Sequence, residues 1–279
     1  LFYLSERKNV PHLKVSLTKN IKETFEVRDG DVIGRGKQAN IVLLDQSISR
    51  AHGKFIQKEG RYLLTNIASN PFFVNHQAVQ ESIELHNGDE IEFGSKKLEY
   101  CDTEDVVLGD FFLVDLIEHH ESEFPDSKIF GKTQLLFRCK TDETKVKAIE
   151  EICNRYIAHL QVDTKSAMGL ETVLNESLNN AARHAHKFEY DKIIQLVMIL
   201  KPHEIRYQVI DQGPGFDYAA SLERGRNVDA VQAARERYQK GGYGGIGFVL
   251  MLKCVDHIEF NNSGTKMTLI KLLNPPIQV

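Results

Sequence analysis

Cysteine pairs are missing from this chain. Cys101, Cys139, Cys153 and Cys254 are widely scattered, with no Cys-x-x-Cys spacing. That argues against a disulfide frame and a zinc site, and for reduced thiols in a cytoplasmic setting. Long apolar runs are missing too. No stretch approaches the ~20 residues of a membrane helix, and no secretory leader pattern is visible, so no membrane contact is expected. The chain opens at Leu1 without a methionine, which leaves room for residues upstream. Nor is there a basic excess. The net charge is −4, which gives a nucleic-acid role no support. What remains is 279 residues, 42% hydrophobic and 27% charged. That suits a folded protein of two ordinary domains.

Residues 12–100 read as short strands between turns. Alternating runs occur at Leu13–Leu17, Lys54–Gln57, Tyr62–Thr65 and Ile91–Phe93. Asp29-Gly30, Glu59-Gly60 and Asn87-Gly88 separate them. Many short strands at this spacing suggest a β-sandwich. Its loops carry polar residues that no core requires. Arg35 can offer a planar fork to a phosphate, and the Ser49 hydroxyl a second bond. The Asn70 carboxamide can bond a peptide backbone.

Together, Ile33-Gly34-Arg35, Ser49-Arg50-Ala51-His52, Asn70, Val74-Asn75 and Asn87-Gly88-Asp89 resemble a forkhead-associated (FHA) domain. The resemblance implies phosphothreonine-peptide binding through Arg35, Ser49, Arg50 and Asn70. It also implies that His52 braces the loop without touching ligand. One feature departs from the family. Where Asn-Gly-Thr is usual, this chain has Asn70-Pro71-Phe72. Proline removes backbone freedom and an N–H.

The middle of the chain is mixed. Residues 106–117 are apolar and fit a short helix or a strand. Glu118 to Asp126 reads as a solvated loop around the His119-His120 pair. From Leu135 the pattern sharpens. Leu135–Cys139 reads as a strand, and Thr141–Thr144 has helix-start polarity. Ala148, Ile149, Ile152, Tyr156, Ile157 and Leu160 follow at helical spacing as a core face. A second helix is expected from about Ser166 to His186. Strands are expected at 194–200, 205–210, 258–260 and 266–270, giving one mixed sheet with helices on one face.

That second helix places Glu176 and Asn180 on one face, one turn apart. The pair could hold a general base beside a magnesium-coordinating oxygen. Asp211 stands at a strand end before Gly213 and Gly215, where glycine admits close backbone approach to a ligand. Gly244, Gly245 and Gly247 lead toward another helix, a phosphate-binding arrangement. Gly264-Thr265 comes last.

In this order, Asn175 to Ala185 and the elements after it resemble the GHKL ATPase fold, nearest to its anti-sigma-factor serine kinase branch, over about residues 135–273. The resemblance implies a Bergerat α/β two-layer sandwich that binds ATP with Mg. Asn180 would coordinate the metal and Glu176 would act as general base. Asp211 would accept from the adenine amine, with Thr265 beside it. Gly213 and Gly215 would begin a lid that Gly242 to Gly247 end. His184 either faces the nucleotide or packs. Within the lid, Arg224, Arg226, Arg235, Arg237 and Lys240 offer charge for the γ-phosphate. The branch often has Arg-Ser before its last Gly-x-Gly, and Tyr243-Gly244 stands there instead.

The expected whole is an α+β multidomain chain: an FHA β-sandwich over 1–104, a linker or short packing element over 105–131, and the ATPase or kinase domain over 132–279. Three functions compete. One is an anti-sigma-type serine/threonine kinase addressed through phosphothreonine. Another is a switch that hydrolyses ATP. The last is a non-catalytic ATP-binding phosphopeptide adaptor. The first is preferred. Its implied partners are a phosphothreonine-containing protein and a STAS-type anti-anti-sigma protein or a sigma factor, with room for a homodimer.

Overall fold

The computed structural model describes residues 10–102, 111–187, 189–215 and 247–277. They fall into two compact units, residues 1–108 and 109–279. No helix among the described residues is long and apolar enough to cross a membrane.

The first unit is all β. Its strands are β1 (His12–Thr18), β2 (Ile21–Glu26), β3 (Val32–Gly34), β4 (Ile41–Val42), β5 (Gly53–Lys58), β6 (Arg61–Asn66), β7 (Phe72–Val74), β8 (Gln77–Val79), β9 (Ser82–Glu84), β10 (Glu90–Phe93) and β11 (Lys96–Cys101). One sheet runs β2-β1-β11-β10-β7-β8, the other β4-β3-β5-β6-β9. Alternate residues point inward, as the period of 2 requires. Leu13, Phe55, Leu64, Phe72, Ile91, Phe93 and Tyr100 are buried in one core between the sheets. Glu59 and Gly60 both have positive φ and join β5 to β6 through a two-residue turn. The primed turn matches strand twist. Asn75 and His76 do the same between β7 and β8. Asn75 also donates to Asp89 Oδ1 at 2.8 Å and accepts from the Glu90 N–H. Its motif position is therefore structural.

The second unit has one mixed sheet of order β12-β13-β14-β15-β17-β16. These strands are β12 (Phe112–Asp115), β13 (Gln134–Lys140), β14 (Ile193–Lys201), β15 (Glu204–Ile210), β16 (His257–Asn261) and β17 (Lys266–Leu272). Only the β12–β13 pair is parallel among them. The helices are α1 (Asp126–Ile129), α2 (Glu143–His159), α3 (Thr164–Asn179) and α4 (Gly247–Cys254). Asp142 caps α2 by accepting from the Thr144 and Lys145 N–H groups, and Asp163 caps α3 through Ser166. Each cap satisfies donors that the first turn leaves open. Helix α3 packs between α2 and α4 and against β15 and β17.

The sequence and the fold differ in two places, at Leu160 and after Asn179. Leu160, expected in the core face, is the half-buried cap residue after α2. The second helix does not continue as an α-helix to His186. From Asn180 to Ala185 the ladder becomes a π turn, and the His186 N–H reaches back to the Ala181 carbonyl. Residues 111–131, read as linker or packing element, hold strand β12, a 3₁₀ turn at Glu121–Glu123 and α1.

Tyr207 faces the helices from β15, in the row Leu135, Met198, Tyr207, Leu269 and Ile258. Its side chain is fully buried, and its hydroxyl has no hydrogen-bond partner among the described residues. A buried unpaired hydroxyl costs free energy that phenylalanine avoids. Tyr207→Phe is expected to stabilise the unit by about 1 kcal/mol in denaturant titrations. A loss of stability would show that the hydroxyl is satisfied in solution.

Candidate functional site

A second row on the same sheet face builds the floor of a cleft. Phe137, Leu196, Val209, Met267 and Phe260 lie side by side across the strands. Val209, Met267 and Phe260 line the cleft, and Ser177, Asn180, Ala181, His184 and Ala185 form its helical wall. Asp211, Gly215, Gly264 and Met251 complete the described lining. An apolar floor with one carboxylate and one carboxamide at its edge suits a flat heterocycle carrying an exocyclic amine.

Asn180 keeps its place one turn beyond Glu176, since its N–H donates to the Glu176 carbonyl. Asn180 and Asp211 share the cleft. Glu176 is half-buried and not part of this lining. A Cβ on Gly247 would lie 2.1 Å from Glu176 Oε2. A side chain there would displace the flexible end of Glu176 from the start of α4. Burial raises the Glu176 carboxyl above its ordinary value, against the pull of His184 and Arg183.

The Asp211 loop is held tightly. The Asp211 N–H donates to the Thr265 carbonyl at 3.0 Å, and the Gly213 N–H donates to Asp211 Oδ1 at 2.7 Å. Thr265 therefore neighbours Asp211 through its backbone, while its hydroxyl bonds Asn261 and Ser263. Burial pushes the Asp211 carboxyl up, opposed by the Gly213 N–H and by Lys192. Gly213 lies against the Ala185 backbone, and Gly215, at φ 93°, against the Ser263 carbonyl. Any Cβ at either position would collide with main chain. Gly244, Gly245 and the lid cations lie outside the described residues. His184 is exposed and lines the cleft.

In the first unit the loops after β3 and before β5 are stitched together. The Arg35 N–H donates to the Ser49 carbonyl at 2.9 Å, and the Gly36 N–H to the Arg50 carbonyl at 3.0 Å. A Cβ on Gly34 would stand 2.4 Å from the Arg50 oxygen. The side chains of Arg35 and Arg50 are exposed, and among the described residues no carboxylate pairs with either. Beneath them His52 is buried. Its Nδ1 accepts from the Ser49 N–H at 3.3 Å, so Nε2 carries the proton and donates to the Asn70 carbonyl at 3.0 Å. One imidazole thus ties Ser49 to the Asn70 loop. The Asn66 amide also donates to that carbonyl.

Residues 139–271 match the family model described as a histidine kinase-like ATPase domain, and residues 32–94 match that of the FHA domain. The chain joins an FHA domain to a histidine kinase-like ATPase domain. Solved FHA domains are among the structures it resembles. One is the FhaA FHA domain, crystallised with the intracellular domain of another protein. It shows 27% identity over 32% of this chain and 98% of that chain, with a TM-score of 0.30. Another is an FHA domain from Chlamydia trachomatis, with 27% identity over 34% of this chain and 99% of that chain, TM-score 0.32. A third is EmbR of Mycobacterium tuberculosis in complex with a low-affinity phosphopeptide, with 20% identity over 37% of this chain and 27% of that chain, TM-score 0.33. A comparison with curated proteins finds no match.

Sequence reasoning missed a residue of the ATPase domain. His186 has no exposed surface. Its Nε2 accepts from the Gln212 N–H at 2.8 Å, and its Nδ1 bonds the Thr141 hydroxyl at 2.5 Å. No spacing rule marks it, because its partners are a strand-end loop and a helix start far away in sequence.

Proposed function

We propose that this chain is a signalling protein in which an anti-sigma-type serine/threonine kinase is addressed to its partner by phosphothreonine capture at the FHA domain. What supports the reading is the cleft of the ATPase domain, which the Asn180 carboxamide and the Asp211 carboxylate both line over an apolar floor, with the half-buried Glu176 carboxylate one turn before Asn180. The donor set fits ATP with Mg. Asp211 would accept from the adenine amine. Asn180 would hold the metal through its carboxamide oxygen, and the metal supplies neutralisation of phosphate charge. Glu176 would take the proton as a partner's serine or threonine oxygen attacks the γ-phosphorus, with ADP leaving. The partner class is a STAS-type anti-anti-sigma protein or a sigma factor. At the FHA domain, Arg35, Ser49, Arg50 and Asn70 would receive the phosphothreonine peptide.

Incubation with labelled ATP, magnesium and candidate STAS proteins tests the reading. Label on a protein serine or threonine is the expected result. Release of phosphate to water alone would instead mark a hydrolytic switch, and neither outcome an adaptor. The cleft has its own test. Asn180→Ala should abolish the magnesium-dependent part of ATP affinity, and Asp211→Asn should weaken the preference for ATP over GTP, because an amide can present a donor to the adenine amine. Titrations with both nucleotides read this. Unchanged ATP affinity in both variants would remove the cleft from consideration.

A further inference from the structure

The fold contains a buried polar relay that the nucleotide chemistry does not use. It runs from the Gln212 N–H into His186 Nε2, from His186 Nδ1 to the Thr141 hydroxyl, and from that hydroxyl to the Lys192 carbonyl at 3.2 Å. Because a backbone N–H can only donate, Nε2 must be bare, and the proton sits on Nδ1. Four segments meet at this ring: the entry to α2, the end of the π turn, the entry to β14 and the Asp211 loop. Gln212 is held from its other side as well, since its Oε1 accepts from the Ile193 N–H at 2.8 Å. The next residue, Gly213, presses on Ala185, immediately before His186.

We propose that His186 is a positioning residue for base recognition, its neutral Nδ1–H imidazole setting the direction in which Asp211 presents its carboxylate to the cleft. The proposal rests on the reading of that cleft as an adenine site. The peptides on either side of Asp211 are both pinned, the first by the Thr265 carbonyl at the Asp211 N–H and the second, Asp211–Gln212, by the imidazole at the Gln212 N–H. Turning that peptide would swing the carboxylate. The π turn gives His186 its position, because the extra residue in that turn carries the chain from the cleft wall to beneath the loop.

A protonated ring has no acceptor. It would set two donors, Nε2–H and the Gln212 N–H, against each other in a buried site. Burial, and then the charge of Lys192, hold the imidazole below its ordinary range, with Glu189 acting in the opposite sense. The Asp211 carboxylate lies on the loop bonded to the ring, and Asp142 follows Thr141 at the start of α2. The bare-Nε2 form therefore prevails at neutral pH and gives way only in acid.

The test uses the full chain and ATP at saturating magnesium. His186→Gln can return an acceptor to the Gln212 N–H but cannot titrate. It should bind ATP near the wild-type affinity at neutral pH, and it should not share the further loss the wild type suffers as the pH falls below the ordinary imidazole range. His186→Ala should bind roughly tenfold more weakly at every pH, since a buried donor is left unpaired. A parallel acid loss in wild type and His186→Gln would overturn the role, as would wild-type affinity in His186→Ala. Nitrogen chemical shifts of the His186 ring in unliganded protein give a readout independent of ATP and of any misfolded variant. They should report the Nδ1–H tautomer, with the Gln212 amide shifting as the ring titrates; an Nε2–H tautomer would also overturn the role. The adenine reading fails separately, if Asp211→Asn leaves base preference unchanged while the His186 shifts are as expected.

Discussion

Glu176→Gln should leave ATP affinity nearly intact and lower turnover by roughly 10²–10⁴. The carboxamide has the shape of the carboxylate but cannot take a proton from the attacking hydroxyl. Glu176 is not among the residues that line the cleft, so nucleotide contacts should survive the change. The Gly247 contact should survive it as well, because the new amide occupies the same volume. A pH profile adds a second check. The Glu176 carboxyl is raised above its ordinary range by burial. A base must be deprotonated to act, so turnover should climb with pH through that raised value. The rising limb should be absent in whatever activity Glu176→Gln retains. Transfer at the wild-type rate in the variant would take Glu176 out of the chemistry.

The FHA domain was legible because each of its strands is short and half-buried. Period-2 alternation marked β1, β5, β6 and β10, and glycines at φ 81–87° marked the turns at Gly30, Gly60 and Gly88. The ATPase sheet was legible through the apolar run Leu196–Leu200 of β14 and through the alternation of Ile205, Tyr207 and Val209 with Arg206 and Gln208 in β15. The sequence gives no sign that α geometry ends at Asn180. The residues that follow are ordinary helix formers, and the π turn is set by where Ala185 and His186 must meet the Asp211 loop. Tertiary contact outweighed propensity there. Leu160 shows the reverse error, a periodic pattern followed one residue past its helix. β12 was ambiguous because four strand residues look alike in either periodicity, and only pairing with β13 decides them. Among the candidate binding residues, Asn180, Asp211 and Gly215 converge on one cleft from two separate segments, the end of α3 and the loop after β15. Spacing alone could suggest that convergence but not display it. The His52 brace was legible only through the resemblance, and His186 was not legible because its partners, the Gln212 N–H and the Thr141 hydroxyl, lie far away in sequence.

Arg35→Ala should weaken binding of a phosphothreonine peptide between several-fold and a hundredfold, on the order of 1.5–3 kcal/mol for one charge-assisted bond. The variant should fold normally. Its guanidinium is exposed and has no carboxylate partner among the described residues, while the bond that joins its loop to Ser49 is made by the backbone N–H, which alanine keeps. Loss of binding and loss of structure are therefore separable at this position. They are not separable at His52, where removing the imidazole would release Ser49 and the Asn70 carbonyl together. The Asn70-Pro71-Phe72 departure bears on the rest of the peptide. Phe72 is fully buried, with its ring centroid 5.1 Å from that of Phe93, so the segment is anchored in the core directly after Pro71. Asn70 spends its carbonyl on His52 and Asn66, which leaves its carboxamide as the group to meet a peptide backbone. Phosphate capture by Arg35 and Ser49 should thus persist, while the preference for residues flanking the phosphothreonine shifts. A phosphothreonine library read with wild type and Arg35→Ala measures both. If neither the library nor a full-length phosphorylated partner binds the wild type, the FHA domain is a docking scaffold without phosphate recognition, and Pro71-Phe72 is where that recognition was lost.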